Sequence, residues 1–283
     1  MSISLPSSPV VSAQWLSDQA QQVVVLDCSV ARSVESNGRT AFSSGYDAFC
    51  QQHLPNAQFA DLFGAFSAPQ GRFPFTAPDG RQLSEALRLL GVNQHSLIVT
   101  YDQLNSAYAA RVWYLLAGVF GWRNVRVLDG GYARWVETQG TIETGPAHSA
   151  DYGDIQLDTA RPLLRTTEQV EQNTQHPLVC ALRREPFLQA HIPGSINLPY
   201  PELLNPDGLI DTLRVAEALR NAGITAPQEL LLYCGGGINA AGLALALVTA
   251  GYPIDALLLY DDSLNGWLSD KRRPITSTPV TPS

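Results

Sequence analysis

Glu229-Leu-Leu-Leu-Tyr-Cys-Gly-Gly-Gly-Ile-Asn-Ala-Ala-Gly-Leu-Ala-Leu-Ala-Leu-Val248 is the stretch from which the rest of the chain can be read. A short apolar run, Leu230 to Tyr233, ends at Cys234; three glycines follow, then an Ala/Leu-rich segment that stops at Gly251. The pattern predicts a buried strand, a tight loop and a helix. It places a thiol where a strand stops and a helix begins. The first turn of a helix carries N–H groups without intrahelical partners, and with the aligned peptide dipoles these favour negative charge. A cysteine there gives up its proton more readily, and the thiolate is the nucleophile. Gly235, Gly236 and Gly237 have no side chains and tolerate positive φ, so their amides can curl around a sulfur or an anion. The bland alternative is an inert cysteine ending a core strand.

Three sharper readings compete for this loop. A cysteine phosphatase needs an arginine six residues beyond the cysteine to grip phosphate, and that position holds Ala240. A dinucleotide fingerprint is matched by Gly235-x-Gly237-x-x-Ala240, with Asp255 further on. Only about 30 residues remain after Gly251, too few for the further βαβ units such a fold requires. The third reading is a thiolate that carries sulfur.

The chain has 283 residues, enough for two domains with a core each. With 45% hydrophobic and 16% charged residues it is globular in composition. A net charge of −8 argues against nucleic acid or an anionic membrane surface as partner. Cysteines at 28, 50, 180 and 234 form no metal-ligand spacing and no C-x-x-C pair, as expected of reduced thiols. Met1 to Val11 lacks a basic residue and a continuous apolar core, so no signal peptide is expected. No apolar run reaches membrane-spanning length. A cytoplasmic protein is the expectation.

Along the chain, residues 1–10 read as a loose tail and Ser12 to Gln21 as a short helix capped by Ser12. Val23 to Asp27, Leu97 to Tyr101 and Val125 to Asp129 read as strands, and Leu83 to Leu90 and Tyr108 to Gly118 as helices. Residues 29–50 mix Ser, Gly and charges, with a helix near Ser44 to Cys50. Residues 138–165 read as a linker rich in Gly and Pro. The pattern then begins again: helix from Thr166 to Asn173, strand from Leu178 to Ala181, helix from Thr212 to Ala222, the Cys234 strand, and a strand from Ala256 to Tyr260. Pro274 to Ser283 reads as a disordered tail. Strands alternating with helices predict parallel sheets covered on both faces.

Laid side by side, the halves match. Tyr101 to Trp135 and Tyr233 to Trp267 each span 34 residues, and His53-Leu-Pro-Asn-Ala pairs with His191-Ile-Pro-Gly-Ser. The chain therefore reads as two copies of one α/β domain, residues 1–145 and 146–283. This register sets Asp102 opposite Cys234, so the first copy is expected to be a non-catalytic structural partner and the second the working one. His53 and His191, at loops entering strands, are expected to be structural.

Val127-Leu-Asp-Gly-Gly-Tyr-Ala-Arg-Trp135, His191-Ile-Pro-Gly-Ser195, Tyr233-Cys-Gly-Gly-Gly-Ile238 and Tyr260-Asp-Asp-Ser-Leu-Asn-Gly-Trp267 together resemble the tandem-domain rhodaneses, the thiosulfate and 3-mercaptopyruvate sulfurtransferases. The resemblance covers nearly the whole chain. It implies two rhodanese-like domains and a two-step reaction. The Cys234 thiolate takes a sulfane sulfur from a small anionic donor as a persulfide held by the amides of Gly235, Gly236, Gly237, Ile238 and Asn239. Cyanide, a thiol or a protein acceptor then removes it. No metal or organic cofactor is implied. The neutral Gly235–Gly237 loop resembles the mercaptopyruvate type. The segment Val179-Cys-Ala-Leu-Arg-Arg-Glu-Pro-Phe187 departs from the family pattern: Cys180 stands where that pattern has Asp, and Leu182 and Pro186 where it has Arg. Arg183 and Arg184 are the remaining candidates for the donor's anionic group. Asn239 stands where Thr is usual. A catalytically silent module that binds anions, carries a persulfide or contacts a partner is the alternative.

Overall fold

The apolar runs do become strands, and the computed structural model, which describes residues 6–34 and 40–278, arranges them in two units, Met1–Ala160 and Arg161–Ser283. In the first, β1 (Val10–Val11), β2 (Val24–Asp27), a ribbon of β3 (Val30–Val34) and β4 (Thr40–Ser44), β5 (Gln58–Phe59), β6 (Ile98–Tyr101) and β7 (Val125–Leu128) alternate with α1 (Ala13–Gln19), α2 (Tyr46–Gln51), α3 (Gly80–Leu89), α4 (Ala107–Trp113) and α5 (Gly131–Glu137). The second unit holds β8 (Leu164–Arg165), α6 (Thr167–Glu171), β9 (Leu178–Cys180), α7 (Arg184–Gln189), β10 (Ile196–Asn197), α8 (Thr212–Asn221), β11 (Leu230–Tyr233), α9 (Ile238–Thr249), β12 (Leu257–Tyr260) and α10 (Ser263–Leu268). The strand orders are β1-β7-β6-β2-β5 and β10-β9-β11-β12-β8, which are one order written in opposite directions. Every pairing within these two sheets is parallel. Chain direction across each sheet reverses partway, and right-handed crossovers then put helices on both faces. β6, β11 and β12 are buried at every position, as continuous apolar strands of a two-faced sheet must be.

The repeat extends to atomic contacts. Tyr101 Oη accepts the Leu54 amide at 3.1 Å and Tyr233 Oη accepts that of Ile192 at 3.1 Å. His53 Nδ1 lies 2.9 Å from the Phe49 carbonyl and His191 Nδ1 2.7 Å from that of Phe187, each ring stacked on the phenylalanine at 4.0 and 3.9 Å. Buried rings with this bond and stack hold loops in place, the structural role expected of both histidines.

Several expectations need correction. Val10 is not loose: it pairs with Val127, as Val11 does with Leu128, and Arg126 Nη2 donates to the Pro6 carbonyl at 2.7 Å. Residues 1–5 of that expected tail lie outside the described residues, as do 279–283 of the expected C-terminal one. Residues 274–278 are ordered instead: Thr276 forms an antiparallel bridge with His191, Trp267 Nε1 donates to the Pro274 carbonyl at 2.8 Å, and Thr278 N to that of Leu188 at 2.7 Å. The division between units falls at 160/161, later than 145/146. Residues 146–160 have little helical period, but Ile155 and Leu157 are buried, Arg88 Nε donates to the Ile155 carbonyl at 2.7 Å, and Leu157 N donates to Ser84 Oγ at 3.0 Å. The β3–β4 ribbon went unread because its residues, Val30 apart, are half-buried or exposed and carry no apolar face.

In each unit the central strand ends in a loop that runs into a helix N-terminus. In the first, Asp102 is fully buried there, and its Oδ1 accepts the amides of Leu104 (2.8 Å) and Ser106 (3.0 Å) while Oδ2 accepts those of Tyr108 and Ala109 (both 3.0 Å). Burial pushes its pKa up and the four amides pull against that rise. The loop and the first turn of α4 thus close on one carboxylate. Removing it strands several buried donors, each costing about 1–3 kcal/mol.

Asp102→Ala is expected to destabilise the protein by about 3 kcal/mol or more, with Asp102→Asn in between, read from urea unfolding midpoints. In α9, Gly242 lies against the buried Tyr200 ring, where an added Cβ would stand 2.7 Å from Cε1. Gly242→Ala should cost about 2 kcal/mol net of its gain in helix propensity. An unchanged midpoint would show that the ring moves freely.

Candidate active site

Cys234 is the first residue after β11, the strand flanked on both sides by β9 and β12. Three glycines separate it from α9, and Gly237 caps that helix in the left-handed region at φ 83°, which glycine adopts without steric cost. α9 is buried along nearly its whole length, so the dipole at its head acts in a low-dielectric surrounding. Its first-turn amides, Ile238, Asn239 and Ala240, have no intrahelical acceptor by helix geometry. The corresponding strand end in the first unit carries Asp102, held by four amides; here a thiol stands at that place.

The main chain of the loop is clamped from a second side. Ser263 Oγ accepts the Cys234 amide at 3.1 Å and donates to the Tyr260 carbonyl at 2.9 Å. Leu264 N donates to the Cys234 carbonyl and Asn265 N to that of Gly235, both at 3.0 Å. Ser263 is fully buried and sits at φ 51°, a left-handed conformation that costs a non-glycine residue of the order of 1 kcal/mol. That strain is sustained by the bonds it makes. Ser263 lies inside Tyr260-Asp-Asp-Ser263, and the recurrence of that segment one strand beyond the loop is its signal in the sequence.

Cys234 is 2% exposed, but Gly235, Gly236 and Asn239 beside it are half-buried, so the loop itself meets the surroundings. Leu182 lies near the same loop: its Cδ2 stands 3.9 Å from where a Gly235 Cβ would be. Asn197 Nδ2 holds that segment by donating to the carbonyls of Cys180 (3.0 Å) and Leu182 (2.8 Å). Cys180 is sealed, and burial pushes its thiol up to about 12.

The two candidate arginines fare differently from the loop. Arg183 is exposed at the start of α7. Arg184 Nε and Nη2 grip both carboxylate oxygens of Glu202 at 2.9–3.2 Å, so its guanidinium is already committed to an anion of the protein itself. All four cysteines are free thiols. Among the described residues no helix is long and apolar enough to cross a membrane.

Comparison with known proteins agrees with this geometry. The rhodanese-like domain profile matches twice, over residues 12–138 and 166–270. A probable 3-mercaptopyruvate sulfurtransferase of Pseudomonas aeruginosa is 31% identical over 96% of this chain and 99% of its own length. A putative thiosulfate sulfurtransferase of Mycobacterium tuberculosis is 32% identical over 82% and 85%. The crystal structure of SseA from Escherichia coli, described as a 3-mercaptopyruvate sulfotransferase with the rhodanese fold, superposes with a TM-score of 0.78 at 25% identity, covering 91% of this chain and 99% of that one. With its two parallel-sheet domains in tandem, this chain belongs to the rhodanese family.

Proposed function

We propose that this protein is a sulfurtransferase that moves a sulfane sulfur from 3-mercaptopyruvate or thiosulfate, through a persulfide on Cys234, to cyanide or a thiol. The observation that carries the reading is the position of Cys234: it follows a buried strand and precedes Gly235–Gly237 and the head of a buried helix. The pseudo-equivalent strand end holds a carboxylate with four amides, which supports this position as a seat for an anionic sulfur.

In the first half-reaction the Cys234 thiolate attacks the outer sulfur of the donor. A Cys234–S bond forms and the donor's bond to that sulfur breaks: from thiosulfate, sulfite leaves with the electron pair; from 3-mercaptopyruvate, pyruvate leaves as its enolate with the electron pair and takes up the thiol proton on carbon. The amides of Gly235 to Asn239 face a negative charge that begins on one sulfur and ends on the next, so little reorganisation is required. Ser263, Leu264 and Asn265 keep the loop's main chain still while this happens. In the second half-reaction the acceptor attacks the outer sulfur and Cys234 leaves as thiolate. An ionised thiol and a set of amides suffice; the chemistry calls for no metal or organic cofactor. Gly235–Gly237 offer no cationic side chain to a doubly charged donor, and Arg184 is held by Glu202, so 3-mercaptopyruvate is the favoured donor of the two. The four free thiols suit a reducing, cytoplasmic setting. A protein thiol is a candidate acceptor alongside small ones.

Cyanide-dependent thiocyanate formation tests the reading. Cys234→Ser should lower it by about 10³-fold or more, as loss of a covalent nucleophile does. Turnover that survives the substitution assigns the chemistry to another residue, and no turnover in the intact protein with either donor favours the silent module. The kcat/KM for 3-mercaptopyruvate should exceed that for thiosulfate by about tenfold or more, equivalent to about 1.4 kcal/mol of transition-state stabilisation. The opposite order would show that positive charge reaches the donor from elsewhere.

A further inference from the structure

The two units differ beside their matching tryptophans. Helix caps align the copies on one side: Ser12 Oγ accepts the Trp15 amide and Thr166 Oγ1 that of Gln169, each just after an edge strand. Five residues on, Ser17 corresponds to Glu171. Trp135 and Trp267 align the other side, and six residues beyond them Thr141 corresponds to Arg273. In the second unit the Arg273 guanidinium lies 5.9 Å from the centroid of the Trp267 ring, its Nε donates to Glu171, and its Nη1 donates to the Gly266 carbonyl at 3.2 Å. A flat hydrogen-bonding group of the protein thus sits beside the tryptophan and ties α6 to the turn after α10. In the first unit both partners are short hydroxyl side chains, and between them lies a cavity of about 370 Å³ that both help to line. That is within the range of about 300–1,000 Å³ found for small-molecule sites. Its floor is apolar: Leu16, Val25, Leu54 and Trp135 line it, all of them buried.

The mouth of the cavity carries the residues Gln21, Asn56 and Gln139, all exposed. Among the described residues their side-chain amides bond to no other group of the protein. Two of the three hold a left-handed backbone, Asn56 at φ 58° and Gln139 at φ 61°. In the second unit the place of Asn56 is taken by Gly194, at φ 78°. Gln139 follows Thr138, the C-cap of α5, where glycine is the usual choice. Each position favours glycine and instead presents a carboxamide, at a cost in backbone strain of the kind found at ligand clamps. Among the described residues no Asp, Glu, Lys, Arg or His lines the cavity. An ion entering it would lose water and gain no counter-charge, whereas Arg273 in the second unit is answered by Glu171. A carboxamide supplies both donors and an acceptor, so it suits a group that does the same.

We propose that this cavity of the first unit is a ligand site for an uncharged planar ring bearing a carboxamide or lactam edge. The ring lies on the apolar floor beside Trp135, where the second unit seats its own guanidinium, and the polar edge meets Gln21, Asn56 and Gln139. The site plays no part in the chemistry at Cys234, and the proposal does not depend on the sulfurtransferase reading.

The experiment titrates the full chain with nicotinamide, a neutral aromatic carboxamide, and follows the tryptophan indole N–H resonances by nitrogen-15 NMR. The Trp135 signal should shift with a Kd on the order of 1 mM, as expected of so small a molecule, while that of Trp267 stays in place. Nicotinate, the anionic counterpart, and 1-methylnicotinamide, the cationic one, should each bind at least about tenfold more weakly. Ser17→Glu combined with Thr141→Arg rebuilds the pair of the second unit inside the cavity and should abolish the shift. Ala20→Phe, which places a ring in the cavity from the end of α1, should do the same and decides the matter if the double variant fails to fold. The proposal is overturned if nicotinamide leaves the Trp135 signal unmoved at about 50 mM. It is equally overturned if the charged relatives bind as tightly, or if a folded variant binds as wild type does.

Discussion

Buried backbone N–H groups at the head of a helix must find a negative or strongly accepting partner, and in each unit the residue just after the central strand stands where it can supply one. In the first unit the partner is visible as Asp102, with four amides at 2.8–3.0 Å. In the second the same place holds Cys234, a thiol at the head of a buried helix. The surrounding architecture follows from that need. The strand must be central for its end to be buried, the helix must be buried for its dipole to count, and a glycine or a left-handed residue must turn the chain between them.

Much of this was legible in the residues. Continuous apolar runs located the parallel strands, Ser12 marked a helix start that its Oγ indeed caps at 3.1 Å from Trp15 N, and recurring pairs such as His53 and His191 exposed the duplication. The equal spacing of Tyr101–Trp135 and Tyr233–Trp267 was nevertheless a net result. Asp102 is followed by a helix capped at Ser106 and Cys234 by one capped at Gly237, so the first loop is longer. The first helix also takes in a π-helical stretch, Tyr114–Val119, and is longer again, and a shorter turn before β7 restores the count. Strand ends, rather than counting, are what set Asp102 against Cys234.

What was not legible has a common cause: segments held by main-chain bonds rather than by a periodic apolar face. Residues 146–160 looked like a linker because their anchors are the carbonyl of Ile155 and the amides of Gly153 and Leu157, and Gly153 lies so close to Val92 that a Cβ there would be 2.0 Å from its carbonyl oxygen. Thr276 pairs with His191 in the same way. Ser263 escaped notice for a related reason. Its work is to present one hydroxyl to the Cys234 amide from a strained backbone, and nothing in a local hydrophobic pattern signals that.

The exchange of a carboxylate for a thiol at both strand ends then has an electrostatic meaning. In the first unit Asp27 and Asp102 are both buried, and the pKa of Asp27 is pushed up chiefly by burial, with the neighbouring Asp102 adding to it. A carboxylate beside Cys234 would act likewise on the thiol, opposing its ionisation through like charge. Cys180 avoids this. Burial pushes its thiol up to about 12, so at neutral pH the position beside Cys234 is neutral. Two cysteines one residue apart in register therefore differ in kind. One lies beside half-buried glycines at the head of α9; the other is sealed at the end of β9, where burial makes charge expensive. The difference lies in what surrounds each sulfur, and the strand order β9-β11 brings them together.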